Sequence, residues 1–285
     1  MSTGELLFAD RSNWGKSSVT GEQRAWFLHQ ITTRSFEDIA PKEARAAAML
    51  TAKGRMAGYF EAVETGEELL LHYEPSLHPQ LPDALRRYLF ATRAEVLEAD
   101  DWGLVLAVGG DWQEALRRAA PESVIHATSD LGAPAGYAWT PLSRVEDVLE
   151  AMRGQGAKEA SEDDLEAVRV SAGAPRWGFE MNESTLPLDV GLDGIALDLD
   201  KGCYVGQEVV AKIHFRGRVT RALRRLDAEG PLVRGASVRA GEAAVGTVTS
   251  AAGTAGLAVL KADIASGSVV QAGDVQAKVW EAGKP

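Results

Sequence analysis

After Arg221 the chain changes character. Helical spacing stops, and short apolar runs alternate with glycine-bearing turns: Leu223 to Leu226, Ser237 to Arg239, Gly246 to Thr249, Leu257 to Leu260 and Val275 to Trp280. Runs of that length are too short for helices and bury little surface singly. They must pair edge to edge, and a closed barrel is the arrangement that leaves no edge unpaired. Residues 221–285 are therefore expected to form a small all-β C-terminal barrel.

Residues 1–220 mix both periods, which makes the whole chain α+β. Thr20 with Gln23 reads as a capping box opening a helix that carries Trp26, Phe27, Leu28 and Ile31. Met56 to Val63 and Leu69 to Tyr73 read as a strand pair about Thr65-Gly66. Leu77, Leu81, Leu85 and Leu89, four apart, predict a helix from Ser76 to Phe90, with Pro79 and Pro82 in its first turns. Strands follow at Ala94 to Leu97 and Leu104 to Val108, a helix opened by Asp111 and Glu114, then strands at Val124 to Ala127 and Tyr137 to Trp139. Two strand-strand-helix units in succession suggest a ferredoxin-like lobe. Helices are expected over Ser143 to Arg153 and, capped by Ser161 and Asp164, through Val170.

The formal net charge is −11, which argues against a general nucleic-acid coat: displacing counterions needs excess positive charge. With one cysteine, Cys203, the chain can close neither an intrachain disulfide nor a multi-cysteine zinc site. Its first 30 residues have no apolar core run, and no 18-residue apolar stretch occurs, so the expected location is the cytoplasm without a membrane span. Gly15-Lys16-Ser17 has the tail of a phosphate loop, but Asp10 stands where its first glycine belongs and would repel a phosphate. The five histidines (His29, His72, His78, His126 and His214) are scattered, and no metal site is expected.

One segment stands apart: Lys201-Gly-Cys-Tyr-Val-Gly-Gln-Glu208, continuing to Arg218. Gly202 and Gly206 bracket the only thiol and free its backbone for tight turns. Residues 201–225 hold seven Lys or Arg against Glu208 alone, a local charge of +6 in an acidic chain. Such surroundings favour a thiolate and are expected to lower the Cys203 pKa. The basic segment reads equally as the solvated rim of a β-hairpin or as a landing site for an anionic ligand tail or an acidic partner.

The run K-G-C-Y-x-G-Q-E, with Phe215-Arg-Gly217 nearby, closely resembles the signature of the YgfZ family, in the folate-binding superfamily of the glycine cleavage T-protein. Phe27 to Thr32, Met49 to Arg55 and Arg169 to Pro175 resemble that family's F-L-x-x-x-(V/I)-T, M-L-x-x-K-G-(R/K) and R-x-x-x-G-x-P segments. The resemblance implies a three-lobed cloverleaf around a channel for tetrahydrofolate or a derivative. Residues 1–50 and 140–220 would form a discontinuous folate-binding lobe, 51–139 the ferredoxin-like lobe and 221–285 the barrel.

By the same resemblance Glu180, in the turn Arg176-Trp-Gly-Phe-Glu180, inherits the role of the T-protein's pterin-holding glutamate. A carboxylate can take two parallel hydrogen bonds from such a ring. Trp177 could stack on it, Arg216 could line the site, and Arg169 fits either a buried pair or a channel wall. Gly58 stands where T-proteins carry a catalytic aspartate, so aminomethyl transfer is disfavoured. The resemblance thus implies a tetrahydrofolate-binding accessory protein for iron–sulfur cluster maturation or repair. Cys203 would be its functional thiol, and Lys201, Gly202, Tyr204, Gly206, Gln207 and Glu208 the loop that presents it. The expected partners are folate and iron–sulfur enzymes, including enzymes of tRNA modification, or cluster carriers. One thiolate cannot hold a cluster alone. The alternatives are a folate-dependent one-carbon transferase and an RNA- or protein-binding module using the +6 segment; whether any reaction is catalysed stays open.

Overall fold

A computed structural model describes residues 4–217 and 219–283. In chain order the elements are β1 (Leu7–Asp10), β2 (Gly15–Thr20), α1 (Arg24–Ile31), β3 (Ala44–Leu50), β4 (Met56–Glu64), β5 (Leu69–Tyr73), α2 (Gln80–Arg86), β6 (Glu95–Glu98), β7 (Trp102–Val108), α3 (Trp112–Ala119), β8 (Val124–Ala127) and β9 (Ala135–Pro141). There follow α4 (Val145–Gly154), β10 (Lys158–Glu159), α5 (Glu162–Ala172) and α6 (Gln207–Arg216). The last six strands are β11 (Arg221–Ala228), β12 (Ser237–Ala240), β13 (Ala243–Ala252), β14 (Ala255–Lys261), β15 (Val269–Ala272) and β16 (Val275–Glu281).

The strands build two five-stranded sheets and a barrel. The first sheet runs β3-β4-β5-β2-β6, the second β10-β1-β7-β9-β8, and β11-β14-β13-β12-β15-β16 close on themselves. The barrel core is Leu226, Val238, Val248, Ala258, Leu260 and Val279, with clean alternation in β16 and a register shift in β13. The α+β class and the C-terminal barrel are as the patterning requires.

The expected division at residues 50 and 139 does not hold. β3 pairs with β4 across a tight turn in which Thr51 N–H donates to the Arg55 carbonyl, 2.8 Å. β5 pairs with β2, and β9 runs through residue 139. β1 pairs with β7 in the second sheet, although it was expected in the first lobe. Hairpin closure keeps residues 56–98 with the strands that precede them, so the helix-backed second sheet is built instead from β1 and residues 102–159. Helices α3 and α4 cover one of its faces through Leu116, Val148, Leu149 and Met152.

Some local signals resolve differently. Gln23, not Thr20, caps α1, and its side chain instead accepts from Arg93 N–H at 2.7 Å. The leucine run at 77–89 is split, a 3-10 turn at Pro75–Leu77 and then α2. Proline lacks the N–H that a continuous helix would need at 79 and 82. The Ser161–Asp164 capping box forms in full. The expected β-hairpin rim after Cys203 is helix α6.

Residues 177–210 return to the first sheet. Trp177, Met181, Val190, Leu197, Tyr204 and Val210 share one apolar cluster with Phe27, Leu28, Phe60 and Leu81. The cysteine segment is thereby packed against α1 and the β3–β4 turn.

Candidate functional site

The Cys203 loop is built from both ends. Gly206 sits at φ +83 as the residue before α6, a conformation that costs any side-chain-bearing residue. A Cβ there would lie 2.5 Å from the Thr51 carbonyl oxygen, so glycine also lets the loop touch the β3–β4 turn. Gln207 Nε2 donates to the Lys201 carbonyl at 3.2 Å and closes the loop on itself. Within it Cys203 is exposed, Tyr204 is buried and Glu208 lies exposed in the first turn of α6.

Lys201 points away from the thiol. Its ammonium donates to the carbonyls of His29, Thr32 (2.6 Å) and Arg34 (3.2 Å), the C-terminal end of α1. A cation there completes unpaired carbonyls and meets the negative end of the helix dipole. Burial pulls the ammonium down to about 8, while the negative charges of Asp198 and Glu37 work the other way. One of the seven positive charges is thus a structural pin. Arg224 and Arg225 lie on barrel strand β11 and donate to the carbonyls of Ile264 and Ser171. The +6 segment is therefore divided between two surfaces. The side chain of Arg216 lies outside the described residues.

Glu180 does not sit as a ligand-facing acid. Its side chain is fully buried. Oε2 accepts from Arg169 Nη1 at 2.9 Å and from Arg176 N–H at 3.1 Å, and Oε1 accepts from Ser250 Oγ at 2.6 Å. Arg169 is itself buried and donates to Glu166, Ala174 and Ser250. The pair ties α5 and the 175–181 turn to barrel strand β13. Three protein donors thus already engage the carboxylate expected to hold a pterin, and Arg169 lies in the buried pair rather than alone on a channel wall. Trp177 is buried in the first-sheet core. Among the described residues no hydrogen bond joins this hub to the Cys203 loop.

A cavity of about 580 Å³ opens where the three units meet, inside the ~300–1,000 Å³ range usual for small-molecule sites. Tyr59 from β4, the segment 128–134 from the second sheet, Leu188 to Leu192, and Arg224 from the barrel line it. At Gly58 a Cβ would lie 2.7 Å from Leu81 Cδ1, so the end of the Leu81 side chain on α2 would have to shift to admit an aspartate.

Individual inspection of the histidines misses a cluster formed by sheet packing. Glu61 and His72 are register partners on β4 and β5, and His126 and Tyr137 are partners on β8 and β9. Asp130 joins them, with Oδ2 3.0 Å from His72 Nε2 and accepting from Tyr137 at 3.1 Å. Glu61, His72 and His126 present donor atoms within 4.8 Å of one another. The set does not fit a metal ion. Trp139 Nε1 donates to His126 Nε2 at 3.2 Å, which places the proton on Nδ1, 2.9 Å from the Ala127 carbonyl, so neither nitrogen offers a lone pair. The signal available in the sequence was Glu61 and His72 at inward positions of adjacent strands.

The architecture matches that of a known enzyme class. Aminomethyltransferase T of the glycine cleavage system from Bartonella henselae superposes with a TM-score of 0.84 over 98% of this chain and 85% of its own, at 16% identity. The fold is thus that of the aminomethyltransferases.

Residues 220–283 match the family described as the CAF17 C-terminal β-barrel domain. The tRNA-modifying protein YgfZ of Yersinia pseudotuberculosis is 25% identical over 76% of this chain and 70% of its own length. A chloroplastic protein of Arabidopsis thaliana with a provisional transferase name is 24% identical over 94% of this chain and 68% of its own. In sequence the chain is thus similar to YgfZ and, over its barrel, to the CAF17 C-terminal domain, and in fold to an aminomethyltransferase. No helix among the described residues is long and apolar enough to cross a membrane.

Proposed function

We propose that this chain is a folate-binding accessory protein that assists iron–sulfur cluster maturation or repair through the Cys203 thiol. The observation that carries the folate part is the 580 Å³ cavity shared by both sheets and the barrel. In that reading the ring system lies against Tyr59 and the apolar wall from Leu188 to Leu192. Arg224, a cation on that wall, receives the carboxylates of the glutamate tail. Tetrahydrofolate or a derivative is the cofactor. The iron–sulfur part rests on an exposed thiol held in a pinned loop. A single thiolate supplies one ligand of about four, so any cluster is handed on or shared with a partner. The name of the Yersinia relative is consistent with client enzymes in tRNA modification.

Calorimetry with tetrahydrofolate tests the cavity. Binding should survive in Cys203→Ser and weaken at least about tenfold in Arg224→Ala, the loss of one charge-assisted contact. No heat with the wild-type protein would end the folate reading. Complementation of a deletion strain tests the thiol. Cys203→Ser should fail to restore iron–sulfur enzyme activity, and full restoration would remove the thiol role. The transferase alternative is weakened by glycine at position 58, where no carboxylate is available; detectable aminomethyl transfer by purified protein would revive it.

A further inference from the structure

Two carboxyl groups and one protonatable imidazole are enclosed together between the two sheets. Glu61, His72 and Asp130 line a narrow pocket of about 40 Å³, roughly room for one water by the ~30 Å³ that a water occupies in the liquid. Glu61 and His72 are 3% and 1% exposed. Their polar atoms are only half used: Glu61 Oε1 and His72 Nδ1 have no hydrogen-bond partner. The other Glu61 oxygen is heavily used. Oε2 accepts from Thr128 Oγ1 (3.2 Å), Ser129 N–H (3.2 Å) and Ser129 Oγ (3.3 Å). Thr128, Ser129, Gly132, Ala133 and Pro134 form one wall of the 580 Å³ cavity, and Asp130 belongs to the same loop.

We propose that Glu61 is a proton-controlled latch on the 128–134 wall of the large cavity. With its proton in place the enclosed group of two carboxyls and one imidazolium is neutral and the loop is held. When the proton leaves, a buried net negative charge sets Glu61 against Asp130, and the loop opens to relieve it.

Burial, reinforced by Asp130, raises the Glu61 carboxyl to about 7; His72 and the weaker pull of the Ser129 and Thr128 hydrogen bonds act against the rise without cancelling it. Burial opposes charge on His72, but Asp130 by charge and hydrogen bond, then Glu61 and Glu74, hold the imidazole above its usual range. Burial also works against charge on Asp130, but His72 and the Tyr137 hydroxyl keep it below the usual range. His126 is kept neutral, pushed down to about 3 by burial and by His72. The remaining charges facing the cavity are already matched: Arg11 with Glu162, Arg176 with Glu74, and Arg169 with Glu166 and Glu180. No free cation among the described residues is placed to replace the lost proton.

The closed state binds this proton more tightly than the open state, whose Glu61 titrates near the ordinary 4.5. Opening is therefore least below that value, grows as pH rises, and levels off above about 7. One linked proton corresponds to a roughly tenfold rise in the opening equilibrium per pH unit inside the window.

Hydrogen exchange of residues 128–134 between pH 5 and 8, corrected for intrinsic rates, measures that equilibrium. The wild-type protein should approach the tenfold slope from pH 5 to 7, and Glu61→Gln, permanently neutral, should be flat there. Equal slopes in the two proteins would overturn the latch. Carboxyl NMR of the wild-type protein needs no variant: titration of Glu61 near neutrality supports it, and titration in the ordinary carboxylate range overturns it. One equivalent of divalent metal retained by the purified protein would also overturn it. Exchange is read without ligand, so a flat wild-type profile leaves the folate reading standing, and absent folate binding leaves the latch standing.

Discussion

Replacing Lys201 by methionine tests how the thiol loop is held. The methionine keeps the length of the stem and removes the ammonium, which donates to the carbonyls of His29, Thr32 and Arg34. A hydrogen bond to a charged group is worth about 1.5–3 kcal/mol net, so three imperfect ones amount to ~5 kcal/mol. Against this stands the desolvation that pulls the ammonium down to about 8 from 10.5. Removing the charge returns at most ~3 kcal/mol, and about 2 kcal/mol after discounting for the part that solvent screens. The difference, a loss of ~3 kcal/mol, outweighs any gain from added apolar contact, because Thr32 is fully buried and its carbonyl loses a close donor. At ~2–4 °C per kcal/mol, the melting midpoint should fall by about 6–12 °C. Thermal and urea melts of the two proteins measure the change, and alkylation of Cys203 should accelerate as the loop loosens. If Lys201→Met melts within about 1 °C of wild type, the ammonium is not the pin, and solvent or neighbouring donors satisfy those carbonyls equally well.

Gly206→Ala should cost at least ~2 kcal/mol in urea melts, since alanine at φ +83 is strained and its Cβ meets the Thr51 carbonyl. Glu180→Gln should destabilise by about 2–4 kcal/mol by stripping charge from the buried Arg169 pair. The same variant should bind tetrahydrofolate as well as wild type, and selective loss of binding in a fully folded Glu180→Gln would restore the pterin role to this acid. Gly58→Asp should lose ~1–3 kcal/mol through its collision with Leu81 and gain no aminomethyl transfer in a purified assay.

Local features were legible to the extent that their causes are local. The Ser161–Asp164 box, the glycine turns of the barrel and the β4–β5 hairpin each arise from residues a few positions apart. The cysteine loop was legible as a motif because its glycines and its Gln207 act within eight residues. The helix after it was not, since seven basic residues so close together read equally as a hairpin rim or as a landing site for anions, and only packing of Val210 under the first sheet shows a helix.

The sequence alone determined the α+β class, the C-terminal barrel, the single thiol and the absence of a carboxylate at position 58, because composition and short-range spacing are enough for each. Tertiary structure decided the rest. It moved the boundary between the two sheets, because strands choose partners by hairpin closure and edge pairing, not by position in the chain. It turned Glu180 inward, because Arg169 on α5 and Ser250 on the barrel offer buried donors that nothing near Glu180 in the sequence announces. It gathered Glu61, His72, His126 and Asp130, separated by up to 69 positions, because two inward faces meet there and enclosed charges must find one another or give up a proton.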